Sequence, residues 1–191
     1  MGKFIRFSCT FLVNKTMVDF SSISAILFDI DGLLTDGSII LDAQGDEIKN
    51  FHVRDGQLIS FMQEKGILFG AISGRDSKAA RVRMESLKVD FIRLGQGDKG
   101  EAYAAFKKEH KKEDHEILFI GDDVIDIPVL EQVGIGVAPS DASFYVIPHV
   151  DFQTKSPGGK GVLREVIDLI IDQRGWNIWA SSRKTIGFNR A

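Results

Sequence analysis

Apolar residues in this chain fall into short, unbroken runs that stop abruptly at glycine or at charged positions. Five runs stand out: Ala25 to Phe28, Ile67 to Ile72, Phe91 to Leu94, Ile117 to Ile120 and Ile135 to Ala138. They lack the strict alternation of a half-solvated strand, so they are expected to be strands covered on both faces. Between them lie stretches of helical character: Gly56 to Lys65, Asp76 to Leu87, Lys99 to His110, Ile125 to Val133 and Gly161 to Ile171. In the last of these, Val162, Leu163, Val166, Leu169 and Ile170 recur at helical spacing and define one apolar face. Strands alternating with helices predict a doubly wound, Rossmann-like α/β domain around a mainly parallel sheet.

One segment departs from this alternation. Ser38 to Leu41, then Asp42-Ala43-Gln44-Gly45, then Asp46 to Phe51 reads as a β-hairpin whose turn ends in glycine. The expected organisation is an N-terminal extension (1–18), one domain (19–173) carrying the hairpin (38–51), and a tail (174–191). The tail holds both tryptophans, Trp176 and Trp179, without a clear period. It is expected to be an arm rather than a core element.

Composition narrows the classes of function. A chain of 191 residues can bury one full core. Its formal net charge is -3 and it has no block of basic residues, which argues against a nucleic-acid partner. No run approaches the length of a membrane span. The basic-then-apolar stretch Lys3 to Val13 is broken by Arg6 and lacks a small-residue cleavage pattern, so it is read as an extension rather than a signal peptide. The one cysteine, Cys9, cannot form a disulfide within the chain and fits a cytoplasmic location.

In a doubly wound fold, ligands bind beyond the carboxyl ends of the strands, so the residues that follow each run carry the functional signal. After the first comes Asp29-Ile30-Asp31-Gly32, leading to Thr35-Asp36-Gly37. After the second comes Ser73-Gly74-Arg75, beyond the third Lys99, and after the fourth Gly121-Asp122-Asp123 with Asp126. Carboxylates, a hydroxyl and an ammonium would meet on one rim, the outline of a metal-assisted phosphoryl-transfer site. A phosphomonoester dianion repels a carboxylate nucleophile, so a divalent cation is needed to neutralise charge and align the two. Mg2+ suits one or two carboxylates plus a phosphate oxygen. Asp29 is then both nucleophile and metal ligand, and Asp31 serves as general acid and base. Ser73 and Lys99 hold the phosphoryl oxygens, and Asp122 completes the metal's protein ligands. Taken singly, each signal has a plainer reading: Asp-x-Asp-Gly as a turn, Ser73 as a helix cap, Lys99 as a solvated helix residue. For Asp126 a metal ligand and a loop-ordering partner both stay open. Arg75 directly follows the second motif and is a candidate for a sugar-acid carboxylate or the phosphate. For Arg54, Lys160 and Arg164, a substrate contact and a surface ion pair both stay open.

These motifs resemble those of the haloacid dehalogenase superfamily of aspartyl-nucleophile phosphatases. Thr35-Asp36-Gly37, the run Phe51 to Gly56, Ile72 to Arg75, Gly121 to Asp123 and the run Gly158 to Glu165 together resemble the 3-deoxy-D-manno-octulosonate 8-phosphate phosphatase family. The resemblance spans Ile23 to Gln173. It implies the roles already given to Asp29, Asp31, Ser73, Lys99 and Asp122, and adds the backbone carbonyl of Asp31 as a metal ligand. Thr35, Gly74, Asp123 and Asp126 are expected to support the site. About forty residues separate Asp31 from Ser73, too few for a separate cap domain. The resemblance therefore implies a homotetramer in which hairpins assemble centrally and neighbouring subunits cover each site. The expected substrate is a phosphorylated sugar acid. Enzymes acting on nonulosonate 9-phosphates share the scaffold, and the Ser73-Gly74-Arg75 form points to the octulosonate group. A signalling phosphoacceptor and a silent oligomerisation domain are the non-enzymatic rivals; Asp31, a second carboxylate able to drive hydrolysis, argues for turnover.

Overall fold

The computed structural model describes residues 18–178. The extension before Val18, with Cys9, and the tail from Trp179 onward lie outside the described residues. Six parallel strands form one sheet: β1 (Ala25–Phe28), β4 (Leu68–Ile72), β5 (Phe91–Arg93), β6 (Ile117–Ile120), β7 (Ile135–Ala138) and β8 (Phe152–Gln153). Their order is β5-β4-β1-β6-β7-β8, so β1 lies centrally and the order reverses beside it. Strands β1 and β6 are buried at every position, which is why they read as continuous apolar runs. β8 has no counterpart among the predicted strands; at two residues it is too short to leave a pattern.

The helices are α1 (Val53–Gln57), α2 (Ile59–Glu64), α3 (Lys78–Ser86), α4 (Lys99–His110), α5 (Ile127–Leu130) and α6 (Val162–Gln173). The helix expected from Gly56 starts earlier and breaks at Leu58 into α1 and α2. The helix expected over 125–133 is shorter: a 3₁₀ turn, Val124–Asp126, feeds α5, whose first turn carries Pro128. Helix α6 buries Val162, Leu163, Val166, Ile167 and Ile170 against one side of the sheet's core. Ala102, Tyr103 and Phe106 of α4 belong to the second apolar cluster, with Leu27 and Phe119.

The hairpin forms as expected, though with shorter strands, β2 (Ile40–Leu41) and β3 (Glu47–Ile48). Asp42 organises its turn by accepting from the N–H groups of Gln44 and Asp46 at 2.9 and 2.8 Å. Only this hairpin, α1 and α2 lie between β1 and β4, and no cap domain is present there. The first residues of the expected arm pack on the body instead. Trp176 meets Phe61 edge-on at 6.4 Å, and Arg174 stacks on Trp176 while donating to the Phe20 carbonyl at 2.6 Å.

Candidate active site

Strand β1 delivers Asp29 to the centre of the carboxyl edge. Its N–H still joins the ladder, donating to the Ile120 carbonyl at 3.0 Å, and the chain then turns sharply as Leu34 and Thr35 both donate to the Ile30 carbonyl. Gly32 makes that turn possible. Its φ is +81°, and a Cβ there would lie 2.0 Å from Asp122 Oδ2. Thr35 is buried, and its hydroxyl accepts from the N–H groups of Gly32 and Gly37 at 3.4 and 3.3 Å. The loop is braced from outside by Gly158, where a Cβ would fall 2.1 Å from the Gly32 carbonyl oxygen. The glycine-rich stretch thus wedges the nucleophile loop rather than cradling a phosphate.

Four charged groups converge behind this loop. Lys99, the first residue of α4, is buried, and its ammonium donates to Asp126 Oδ1 at 2.6 Å. It also lies 2.9 Å from Asp29 Oδ1, ion-pairing distance, but off the angle of a hydrogen bond. Asp126 is wholly buried, and its Oδ2 accepts from the N–H groups of Asp122 and Asp123 at 3.0 and 3.2 Å. Both of its oxygens are therefore engaged: it anchors Lys99 and orders the loop that carries Asp122. Carboxylate oxygens of Asp29, Asp122 and Asp126 lie within 4.8 Å of one another. Among the described residues, Asp29 Oδ1 and Asp122 Oδ1 are buried without a hydrogen-bond partner.

The electrostatics follow from that crowding. Burial pushes Asp29 up to about 7 although Lys99 pulls the other way. Burial, with repulsion from Asp29 and Asp126, pushes Asp122 up to about 8. Burial opposes the charge on Lys99, yet Asp29 and Asp126 more than offset it and hold the ammonium above the ordinary lysine range. Two crowded carboxylates that repel each other, Asp122 with Oδ1 unpartnered and Asp29 with Oδ1 ion-paired to Lys99, are the donor set of a hard divalent cation, which takes oxygen ligands. The residues present fit such an ion, and Asp29 and Asp122 would hold it.

Beyond these groups opens a cleft of about 230 Å³ lined by Asp29, Asp31, Ser73, Gly74, Arg75 and Asp122, among others. Ser73 is buried at the end of β4, and its hydroxyl accepts from the Arg75 N–H at 3.2 Å. Gly74 packs on Ile125, where a Cβ would come to 3.2 Å. Asp123 lines the cleft and caps the 3₁₀ turn by accepting from the Val124 N–H at 2.8 Å. Arg54 and Lys160 are exposed and do not line the cleft. Lys160 instead adds a small pull to the ordering of Asp36, held low mainly by the Ser38 N–H. Arg164 is tied to Asp168 and Gln57.

Two residues of the mouth were not among the sequence candidates. Lys49 is paired with Asp31, and Glu47 bridges Lys49 at 3.3 Å to Arg75 at 2.7 Å. Their only signal in the sequence is spacing: positions 47 and 49, two apart in the expected hairpin arm Asp46 to Phe51, would share a face.

A haloacid dehalogenase-like hydrolase profile matches residues 94–166. The 3-deoxy-D-manno-octulosonate 8-phosphate phosphatase of Haemophilus influenzae is 37% identical over 154 residues, 81% of this chain and 86% of that protein. The crystal structure of the Yersinia pestis phosphatase of the same name superposes with a TM-score of 0.79 at 36% identity, over 82% of this chain and 84% of that one. The Moraxella catarrhalis phosphatase, solved with a magnesium ion, a phosphate ion and a KDO molecule, reaches a TM-score of 0.81 at 30% identity, over 86% and 95%. With this fold, this acidic cluster and relatives of that identity over most of its length, the chain belongs to the 3-deoxy-D-manno-octulosonate 8-phosphate phosphatase family of haloacid dehalogenase-like hydrolases and is a phosphatase.

Proposed function

We propose that this chain hydrolyses 3-deoxy-D-manno-octulosonate 8-phosphate to the free sugar acid and phosphate, with Mg2+ bound by Asp29, Asp122 and the Asp31 carbonyl. The observation that carries this reading is the crowding of Asp29 and Asp122, with Asp122 Oδ1 unpartnered and Asp29 Oδ1 held by its ion pair to Lys99, at the cleft that Asp31 and Ser73 also line. A bound Mg2+ offsets the repulsion between carboxylate and phosphate dianion. Asp29 attacks phosphorus in line, forming an Asp29–phosphorus bond as the ester P–O bond breaks. Asp31 gives its proton to the departing alkoxide, then takes one from the water that cleaves the aspartyl phosphate. Ser73 and Lys99 donate to the non-bridging oxygens throughout, and Asp126 keeps Lys99 aimed at them.

Arg75 stands at the mouth and would meet the sugar-acid carboxylate. The exposed apolar residues Ile39, Ile40, Leu41 and Ile48 support association through the hairpins, as in the proposed homotetramer. The proposed substrate, a lipopolysaccharide precursor, supports a cytoplasmic location. Among the described residues, no helix is long and apolar enough to cross a membrane.

The test is phosphate release from 3-deoxy-octulosonate 8-phosphate, a nonulosonate 9-phosphate and simple sugar phosphates, with Mg2+ and with chelator. The octulosonate ester should turn over fastest, only with the metal, and not in D29N. A folded native chain that releases phosphate from no sugar-acid phosphate would refute the reading; preference for the nonulosonate ester would reassign the substrate on the same scaffold.

A further inference from the structure

We propose that Lys49, on the chain's own hairpin, is a positioning residue that holds the Asp31 carboxyl for proton transfer, with Glu47 as its counter-anchor. The inference rests on the assignment of Asp31 as acid and base. Its starting point is an anomaly of exposure. Lys49 follows a two-residue strand on an exposed hairpin, yet its side chain is 2% exposed. Burying an ammonium is costly unless it is paired, so something fixed must hold it there. It is held between two carboxylates, Asp31 in the nucleophile loop and Glu47, two residues back on the hairpin, at 3.3 Å.

The pairing is selective within Asp31. Lys49 engages Oδ1, while Oδ2 is buried, without a hydrogen-bond partner among the described residues. One oxygen is thus clamped and the other is left to carry the proton, on a residue that lines the cleft. A clamped carboxyl cannot swing away from the leaving oxygen, and orientation of this kind is a large part of what an acid catalyst contributes.

The chemistry gives the ammonium a second effect. As Asp29 bonds to phosphorus and the P–O ester bond breaks, its electron pair goes to the ester oxygen, which takes the proton of Asp31. Negative charge then appears on Asp31, against Lys49. An attraction that grows as the proton leaves stabilises the transition state more than the bound substrate. Glu47 keeps the ammonium shared rather than surrendered to Asp31, and its 2.7 Å bond to Arg75 couples this pair to the mouth of the cleft.

The test uses the full-length protein and aryl phosphates, so it does not depend on the identity of the sugar. A phenolate leaving group needs a proton far more than p-nitrophenolate does. If Lys49 positions Asp31, K49M should lower kcat/KM for phenyl phosphate by about tenfold or more, and for p-nitrophenyl phosphate by less than about threefold. K49R, which keeps the charge, should retain most of the native dependence on the leaving group. Equal losses on both esters, or no loss on either, would overturn the proposal. K49Q and E47Q provide further variants on the exposed hairpin, remote from the apolar core, should K49M fold poorly. E47Q should shift the leaving-group dependence less than K49M, and a larger shift would make Glu47 rather than Lys49 the anchor.

Discussion

Replacing Asp122 by asparagine should make the metal-free protein more stable while abolishing turnover. Asp122 sits with its Oδ1 unpartnered and its carboxylate within 4.8 Å of Asp29. Were both ionised at that separation, with an effective dielectric constant near 20, the two would repel by roughly 3 kcal/mol, a cost the folded state meets above pH 4 by retaining a proton that the unfolded chain releases. Asparagine has the same shape, removes one charge and offers an N–H toward Asp29. The sign follows from the titration. Asp122 rises from an ordinary 3.8 to about 8 on folding, through burial first and its acidic neighbours second. The folded state therefore holds the proton more tightly than the unfolded chain, and native stability is lost as pH rises from about 4 toward 8. Asparagine does not titrate. D122N should thus equal the native protein near pH 4 and exceed it increasingly toward pH 7.5. Three kcal/mol corresponds to roughly 6–12 °C in Tm for a domain of this size. The assay is thermal unfolding of both proteins in chelator from pH 4 to 8. A variant no more stable than the native chain at pH 7.5, or a gap that does not narrow toward pH 4, would refute the reasoning.

Mg2+ added to the native chain at pH 7.5 should raise Tm, with about 2.7 kcal/mol gained at a hundredfold excess over Kd. The shift should shrink at pH 5, where protons hold Asp29 and Asp122, and calorimetric titration at both pH values checks it. K99M should cost about 3–5 kcal/mol in urea unfolding, because Asp29 and Asp126 are left buried without their cation. G158A should keep the far-UV circular dichroism signal yet lose roughly a hundredfold in kcat, since its Cβ would press the Gly32 carbonyl and displace the nucleophile loop. If the hairpins build the proposed homotetramer, aspartate at both Ile40 and Ile48, which pair across the hairpin, should give smaller species than the native chain in sedimentation velocity without unfolding the subunit; equal sizes would refute that assembly.

What was legible in the sequence was whatever the strands impose locally. Residues of β1 and β6 are buried on both faces, so they must be apolar in succession, and the run itself reveals the strand. Asp29, Ser73 and Asp122 could be nominated because each comes just beyond such a run, and a parallel sheet brings all those ends to one edge. Boundaries were less legible. Leu58 leaves the helical region with ψ near 3°, splitting one apolar stretch into α1 and α2, and nothing at that position announces the break. Arg54 and Lys160 show what spacing alone leaves open. Each is near a motif in sequence, but α1 and the glycine-rich loop present them outside the cleft, and nearness along the chain carried no information about direction. Asp126 needed tertiary structure too: its two oxygens find Lys99 and two backbone N–H groups, the contacts of a residue that orders the loop.

The charges of the site divide into two halves that do different work. In the inner half, the carboxylates of buried Asp29 and Asp126 and half-buried Asp122 crowd around the ammonium of Lys99. That excess of negative charge matches a divalent cation, which is why the cluster strains the metal-free fold and why protons bind there when no cation does. In the outer half, Asp31 and Glu47 are balanced by Lys49 and Arg75. This half needs no ion; its charges already hold one another in place. A sugar-acid carboxylate arriving at Arg75 must compete with Glu47 for it. Winning that contest loosens Glu47 from the mouth and leaves its charge nearer Lys49, the residue that steadies Asp31. Binding of the remote carboxylate and placement of the proton donor would then be linked through one short chain of ion pairs. A substrate lacking the carboxylate leaves Glu47 on Arg75, so its kcat as well as its affinity should differ from that of the sugar acid. That change in kcat is what distinguishes a linked mouth from a mere anchoring contact, which would alter affinity alone.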